Sequence, residues 1–284
     1  MRLLFLSDFH GHMPDVSAWA PDLIVAGGDY CEVDEIRQLK FAALARGLKA
    51  TDWAELVTPE QAEELMDRAL AEGSAVISAL ADTGVPVLAI PGNSDRVTLS
   101  APAEMVARHL PRPDRPAVPG HIANIESRAV DRDEVAPRGL GGWAFAGLGG
   151  WSGPPDESRL RREIGALTEQ AAPLRMPLLL VSHNVPYRSE LDGVRNPDLP
   201  AFAQGQMVGS HRCVAAIEAL SPRLCLTGHL HENFGRMQRI GDTLCLCGAG
   251  AYRGDGVILE LHPDGTFDDP RFVTSARGAQ RVLA

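Results

Sequence analysis

Five short motifs gather the residues able to do metal chemistry. They are Asp8-Phe9-His10, Gly28-Asp29, Gly92-Asn93-Ser94-Asp95, His183 and Gly228-His229-Leu230-His231. Carboxylate and amide oxygens with imidazole nitrogens suit Mn²⁺, Fe or Zn²⁺. No thiolate joins them, which sets them apart from a structural zinc knot. The pairs Asp8/His10 and His229/His231 are two residues apart. On a strand that spacing puts both side chains on one face, and at a strand end the chain can turn to serve two adjacent ions. Gly27 and Gly28 before Asp29, and Gly92 before Asn93, allow close backbone approach. Asp-x-His or Gly-Asp alone is commonplace. All five in this order, each after an apolar run or turn, form a specific signal.

Something must carry these motifs to one place. The chain alternates short apolar runs with helical stretches, the pattern of an α/β fold. Arg2–Ser7, Asp22–Ala26 and Pro86–Ile90 read as buried strands, and ligands in α/β folds sit at the carboxyl ends of strands. Residues 32–48 and Pro59–Asp82 read as amphipathic helices. Thr58 is a plausible N-cap, with Pro59 at the first helical position and Gln61 closing a capping box. Val97–Leu110 reads as a helix, and 110–120, with four Pro, as irregular. The Gly-rich stretch 138–151 reads as a strand between two turns. Glu157–Ala171 and Ser210–Leu220 read as helices, and Met176–Ser182 and Arg223–Thr227 as strands. The remainder is mostly β: 235–240, 243–246, 256–262 and 271–274. Gly241-Asp242 is a two-residue hairpin signal.

At this point the chain resembles the calcineurin-like metallophosphoesterases. Their pattern is Asp-x-His, Gly-Asp, Gly-Asn-His-Asp/Glu, a single His, and Gly-His-x-His, and it spans about Met1 to Gly250 here. The resemblance implies a single α/β domain over 1–284, a four-layer α-β-β-α sandwich, with a helical insertion at about 32–82 that can form a lid. It implies two divalent ions, Mn most readily, with Fe or Zn as alternatives. Asp8, His10, Asp29 and His231 would hold one ion. Asp29, Asn93, His183 and His229 would hold the other, with Asp29 bridging. A hydroxide bridging the two ions would attack phosphorus in line. The segment Gly209-Ser210-His211, followed by a helix, a strand and Gly228-His-Leu-His231, resembles the branch related to cyclic-nucleotide phosphodiesterases.

One residue departs from the pattern. Ser94 stands where most of the family has a His that binds substrate or protonates the leaving group, and Ser is no acid near neutral pH. His12 and His211, close in sequence to the motifs, are candidates to replace it as proton donor. Asn93, Ser94 and Arg96 are candidate substrate contacts. Asp95 is expected to orient a ligand imidazole, since metal-bound His usually has such a partner. Other residues carry plainer readings. His109, His121 and His262 read as structural or solvated, Cys245-x-Cys247 as strand packing, and Trp143 and Trp151 as aromatics in Gly-rich corners.

The 284 residues carry 27 basic and 37 acidic side chains, a net charge of −10. That balance argues against non-specific binding to nucleic acid or anionic membranes. The 45% hydrophobic content suffices for a sizeable core. No apolar run reaches membrane-spanning length, and the start lacks a signal-peptide core. Five Cys, an odd number with no Cys-x-x-Cys pair, favour a reducing, cytoplasmic setting. The expected activity is a dinuclear-metal phosphoester hydrolase on a small-molecule phosphoester, a phosphodiesterase ahead of a phosphomonoesterase. A metal-binding scaffold without catalysis is the further alternative. Natural substrate and oligomeric state are left open by the sequence.

Overall fold

A computed structural model describes residues 1–31, 34–96, 122–131, 142–150, 157–196 and 201–282. The expected helix at 97–110, the segment 110–120, His109, His121 and Trp151 lie outside the described residues. In chain order the strands are β1 (Arg2–Leu6), β2 (His12–Pro14), β3 (Leu23–Ala26), β4 (Val87–Ala89), β5 (Ile122–Asn124), β6 (Ala129–Asp131), β7 (Ala144–Leu148), β8 (Leu178–Ser182), β9 (Leu224–Thr227), β10 (Met237–Ile240), β11 (Thr243–Cys247), β12 (Asp255–Glu260), β13 (Arg271–Thr274) and β14 (Ala279–Arg281). The α-helices are α1 (Asp34–Ala45), α2 (Pro59–Asp82), α3 (Glu157–Ala171) and α4 (His211–Leu220).

Two six-stranded sheets form, ordered β13-β12-β1-β3-β4-β5 and β10-β11-β9-β8-β7-β6. Strands β1, β3, β4 and β5 run parallel, as do β11, β9, β8 and β7. The remaining strands pair antiparallel at the edges. The hairpin at Gly241-Asp242 forms, with Ile240 opposite Thr243.

Strand alternation builds the layers. Leu3, Phe5, Leu23 and Val25 of the first sheet meet Phe145, Leu179, Val181, Leu224 and Leu226 of the second in an apolar core between them. The intervening residues Leu4, Leu6, Ile24 and Ala26 face outward onto Ala62, Ala69, Val76, Ile77 and Leu80 of α2. Ala144, Ala146, Leu178 and Leu180 pack with Ile164 and Leu167 of α3 and Ala216 and Ile217 of α4. Both faces of the central strands are covered, which is why they read as continuous apolar runs. The result is the α-β-β-α sandwich that the resemblance implies. Cys213, Cys225, Cys245 and Cys247 all sit in the outer core of the second sheet.

Helix ends follow local chemistry. Thr58 Oγ1 accepts from the Gln61 N–H while Gln61 reaches back to Thr58, the capping box expected at the start of α2. Helix α1 stops at Ala45, short of 48, because Gly47 turns left-handed (φ 77°) and Leu48 N–H bonds back to the Ala43 carbonyl.

Candidate metal centre

The motif residues follow the carboxyl ends of β1, β3 and β4 in one sheet and β8 and β9 in the other. Four of them stand in the left-handed region: Asp8 (φ 64°), His10 (44°), Asp29 (56°) and His229 (71°). Each costs about 1–3 kcal/mol of backbone strain, and such strain collects at functional sites. Hydrogen bonds between the two loops hold it in place, from Asp8 N–H to the Gly28 carbonyl and from Phe9 and His10 N–H to the Asp29 carbonyl. Glycine is required beside them. A Cβ on Gly92 would lie 2.0 Å from Asp29 Oδ1. A Cβ on Gly28 (φ 96°) would lie 2.3 Å from the Gly92 backbone nitrogen.

Two groups of metal-binding side chains result, Asp8/His10/His231 and Asp29/His183/His229, and within each the ligand atoms lie within 4.8 Å of one another. His231 Nε2 is 3.1 Å from Asp8 Oδ1 and 3.2 Å from His10 Nε2. His10 Nε2 is 4.0 Å from Asp29 Oδ2. His183 Nε2 is 2.9 Å from Asn93 Oδ1 and 3.5 Å from Asp29 Oδ1. The Asp29 carboxylate therefore lies next to an imidazole of each group.

The partners on the far side of two rings fix their protonation. His183 Nδ1 lies 2.8 Å from the Gly27 carbonyl and His10 Nδ1 lies 3.2 Å from that of Cys31. A carbonyl only accepts, so both Nδ1 atoms donate. In the neutral rings the Nε2 lone pairs then point into the site. His183 Nε2 faces two oxygen acceptors, and such a contact is stable only with a proton or a cation between them. Without a metal the proton takes that place. Burial disfavours the His183 imidazolium, yet the Asp29 charge and hydrogen bond, with Asp8, push its pKa up to about 10. Burial also opposes ionisation of Asp29, but His183 and His10 hold its pKa well below the ordinary value. Asp8 is held near 2, where its hydrogen bond and charge attraction with His231 overcome burial. His229 is pushed down to about 4 by burial and by the neighbouring His183 charge. The donor set, the inward lone pairs and the two acidic groups fit two divalent cations.

The remaining expected residues fall as follows. Asp95 is a correction. Its carboxylate takes the backbone N–H groups of Asp29, Tyr30, Cys31 and Gly92, at 2.7–3.2 Å, and bonds no imidazole. The ligand rings His10 and His183 are oriented by main-chain carbonyls, so no carboxylate is needed there. Burial and the Asp29 charge raise the Asp95 pKa to about 6, against its backbone donors. Ser94 is turned inward: its N–H and hydroxyl donate to Asp29 Oδ1 and Oδ2 at 2.7 and 3.0 Å. That hydroxyl is thus engaged with the Asp29 carboxylate. Arg96 ends the short 3-10 turn Ser94–Arg96, and its side chain lies outside the description.

His12 and His211 do not join the metal-binding groups. His12 lies on β2, opposite Arg281 of β14, with Nδ1 2.7 Å from the His10 carbonyl. His211 is exposed at the first position of α4 and stacks on Tyr187 at 3.9 Å between ring centres. Sequence reasoning missed Tyr252, whose ring packs 4.9 Å from that of His231 and 5.9 Å from that of His10. Nothing in its spacing marks it. Cys247, read as strand packing, is in the outer core, with its thiol 3.4 Å from the Leu230 carbonyl and 3.7 Å from that of Gly228 under the His229–His231 turn. Trp143 is buried with its Nε1 donating to the His262 carbonyl, and His262 pairs with Asp268 on the surface.

No protein-family model matches the chain, and no curated protein matches it. Solved structures do. One crystal structure aligns over 97% of this chain and 99% of its own, at 15% identity and a TM-score of 0.60. TT1561 of Thermus thermophilus aligns over 96% and 98%, at 16% identity and a TM-score of 0.54. The fold is shared with both over nearly their full length. A 5′-nucleotidase precursor, also from Thermus thermophilus, aligns with all of this chain and 54% of its own, at 11% identity and a TM-score of 0.43.

Proposed function

We propose that this protein is a dinuclear-metal-dependent phosphoester hydrolase that favours phosphodiesters. The observation that carries the reading is His183 Nε2 facing the Asn93 and Asp29 oxygens, a place that a proton or a cation must fill, beside a second His/Asp group. Asp8, His10, Asp29 and His231 would hold one cation. Asp29, Asn93, His183 and His229 would hold the other, and Asp29 would be shared. Mn²⁺ is the favoured pair, and Fe²⁺ or Zn²⁺ suit the same donors. When bound, two such ions neutralise phosphoryl charge and make water nucleophilic near neutral pH.

The protein's own residues prepare the site. Gly27 and Cys31 carbonyls hold two imidazoles with Nε2 inward. Ser94 and Asp95 fix the Asp29 carboxylate and the loop that carries it. With the Ser94 hydroxyl committed to Asp29, no acid stands at that position to protonate an alkoxide. Turnover then depends on a leaving group that departs without protonation, or on a proton from another residue or from water. The helical section at about 32–82 is the proposed lid, and within it α2 packs on the first sheet. Phe41 of α1 meets Phe202, 6.4 Å between ring centres, on the segment that runs from His183 to α4. A cytoplasmic setting belongs to the same reading, in keeping with five free, buried thiols.

The test compares bis-p-nitrophenyl phosphate with p-nitrophenyl phosphate, using protein stripped of metal and reloaded with Mn²⁺. Metal-dependent turnover that prefers the diester and vanishes in Asp29→Ala is the expected result. A preference for the monoester would make the protein a phosphatase. Metal-loaded protein inactive on both would contradict hydrolysis and favour the scaffold reading.

A further inference from the structure

The turn between β11 and β12 lays a tyrosine and an arginine against one metal-binding group. Ala251–Arg253 forms a single 3-10 turn. Its start is tied to the first motif. Gly250 and Ala251 N–H donate to the Ser7 carbonyl, and Tyr252 N–H donates to that of Asp8 at 3.0 Å. The Tyr252 ring then packs on both imidazoles of the Asp8/His10/His231 group. Arg253 extends the contact, with Nη2 donating to the His231 carbonyl at 3.2 Å. These are direct contacts with candidate ligands, so the pair lies at the edge of the metal centre itself.

The hydrogen bonds leave donors over. Arg253 Nε donates to Asp255 Oδ2 at 3.0 Å and Nη1 to Tyr252 Oη at 3.2 Å. A guanidinium carries five N–H groups. With Nη2 on the His231 carbonyl, three are used among the described residues, and one remains on each Nη. Arginine only donates, so Tyr252 Oη is the acceptor in their contact and its own proton is not used there. Among the described residues nothing else takes that proton. The donors are nevertheless held in place. Arg253 Cζ lies 5.1 Å from the Tyr252 ring centre. Asp255, itself buried and bonded by Thr274 Oγ1, fixes the guanidinium. The pair fits closely, since a Cβ on Gly250 would lie 2.8 Å from Asp255 Oδ2 and 3.0 Å from Arg253 Nη2. The Arg253 side chain is still 40% exposed, and an ion pair so open to water adds little to stability. What the arrangement does provide is a set of donors fixed in one orientation, which lowers the ordering cost of binding an anion.

We propose that Tyr252 Oη and the two remaining Arg253 N–H groups take a non-bridging oxygen of the substrate phosphoryl group beside the Asp8/His10/His231 group. This rests on the phosphoesterase reading above and names the side chains that hold the phosphoryl group there. The competing role is structural, in which ring and guanidinium only brace His231.

The experiment uses the full chain loaded with Mn²⁺, with inorganic phosphate as the probe. Phosphate binding by calorimetry, its inhibition constant against diester turnover, and Mn²⁺ affinity are measured for wild type, Tyr252→Phe, Arg253→Met and Arg253→Lys. Phe keeps the ring on His10 and His231 and removes only the hydroxyl. Lys keeps the charge without the planar fork. Loss of charge-assisted contacts predicts phosphate binding roughly 10- to 100-fold weaker in Arg253→Met, with KM raised more than kcat is lowered. Loss of one neutral donor predicts roughly 3- to 10-fold weaker binding in Tyr252→Phe, with Mn²⁺ affinity kept. Arg253→Lys falls between wild type and Arg253→Met. Unchanged phosphate binding in Tyr252→Phe or in Arg253→Met, or losses that only follow lost Mn²⁺ affinity, would overturn the proposal while leaving the hydrolase reading intact. A wild-type protein that neither binds phosphate nor turns over a diester would overturn both.

Discussion

At the residue scale, the seven candidate ligands were legible because their types and order are unusual and strand ends expose them. Their supports were not legible. Asp95 reaches backbone N–H groups some 65 residues away, and Gly27 and Cys31 act through carbonyls that any residue possesses. Asp95→Asn would replace one acceptor oxygen with a donor facing N–H groups. It is expected to weaken Mn²⁺ binding by roughly 10- to 100-fold with every ligand intact, as changes behind metal ligands do. Mn²⁺ calorimetry checks this, and unchanged affinity would mean the Asp29 loop holds itself. His183 carries a pH prediction. Its folded pKa of about 10 stands above the free value of 6.5. In metal-free protein its pairing with Asp29 stabilises fully below about 6.5, and that stability is lost as pH climbs through about 10. At pH 7.5 a metal must displace this proton, so uptake should release about one proton and tighten as pH rises. Calorimetry in two buffers of different ionisation enthalpy measures the release.

At the element scale, the long helices were read nearly to the residue. Pro59–Asp82 and Glu157–Ala171 match the expected spans, because a capping box and an apolar stripe mark the first and an apolar stripe marks the second. Strands of three residues, such as β5 and β6, were missed, since so short a run shows no period. The pairing of β2 with β14 joins the two ends of the chain and leaves no local trace. Thr58→Ala removes one half of the α2 capping box and is expected to cost about 1 kcal/mol in chemical unfolding, with activity unchanged. Asp192 has a larger part. Its carboxylate takes the N–H groups of Arg188, Gly193, Val208 and Gly209 and so joins the loop after β8 to the one before α4. Asp192→Ala leaves these donors without that acceptor and is expected to cost about 3 kcal/mol or more. Hydrogen exchange should quicken first at 187–194 and 206–210, and uniform quickening across the fold would contradict this local role.

At the scale of the whole molecule, the two-sheet core fixes the distance between the metal-binding groups, because one sheet supplies Asp8, His10, Asp29 and Asn93 and the other His183, His229 and His231. The sequence showed that an α/β core existed but not which strands were neighbours. Strand order depends on contacts between segments far apart in the chain. Phe145, buried between the sheets, is expected to cost about 3–5 kcal/mol as Ala. Among the described residues no helix is long and apolar enough to cross a membrane.

The central claim is a shared-carboxylate, two-cation site, and metal stoichiometry tests it most directly. Stripped protein titrated with Mn²⁺ should take up two ions. His10→Ala should lose tight binding of one and His183→Ala of the other, while Asp29→Ala should impair both. Uptake of a single ion by wild type, or two ions still bound tightly by Asp29→Ala, would contradict the account.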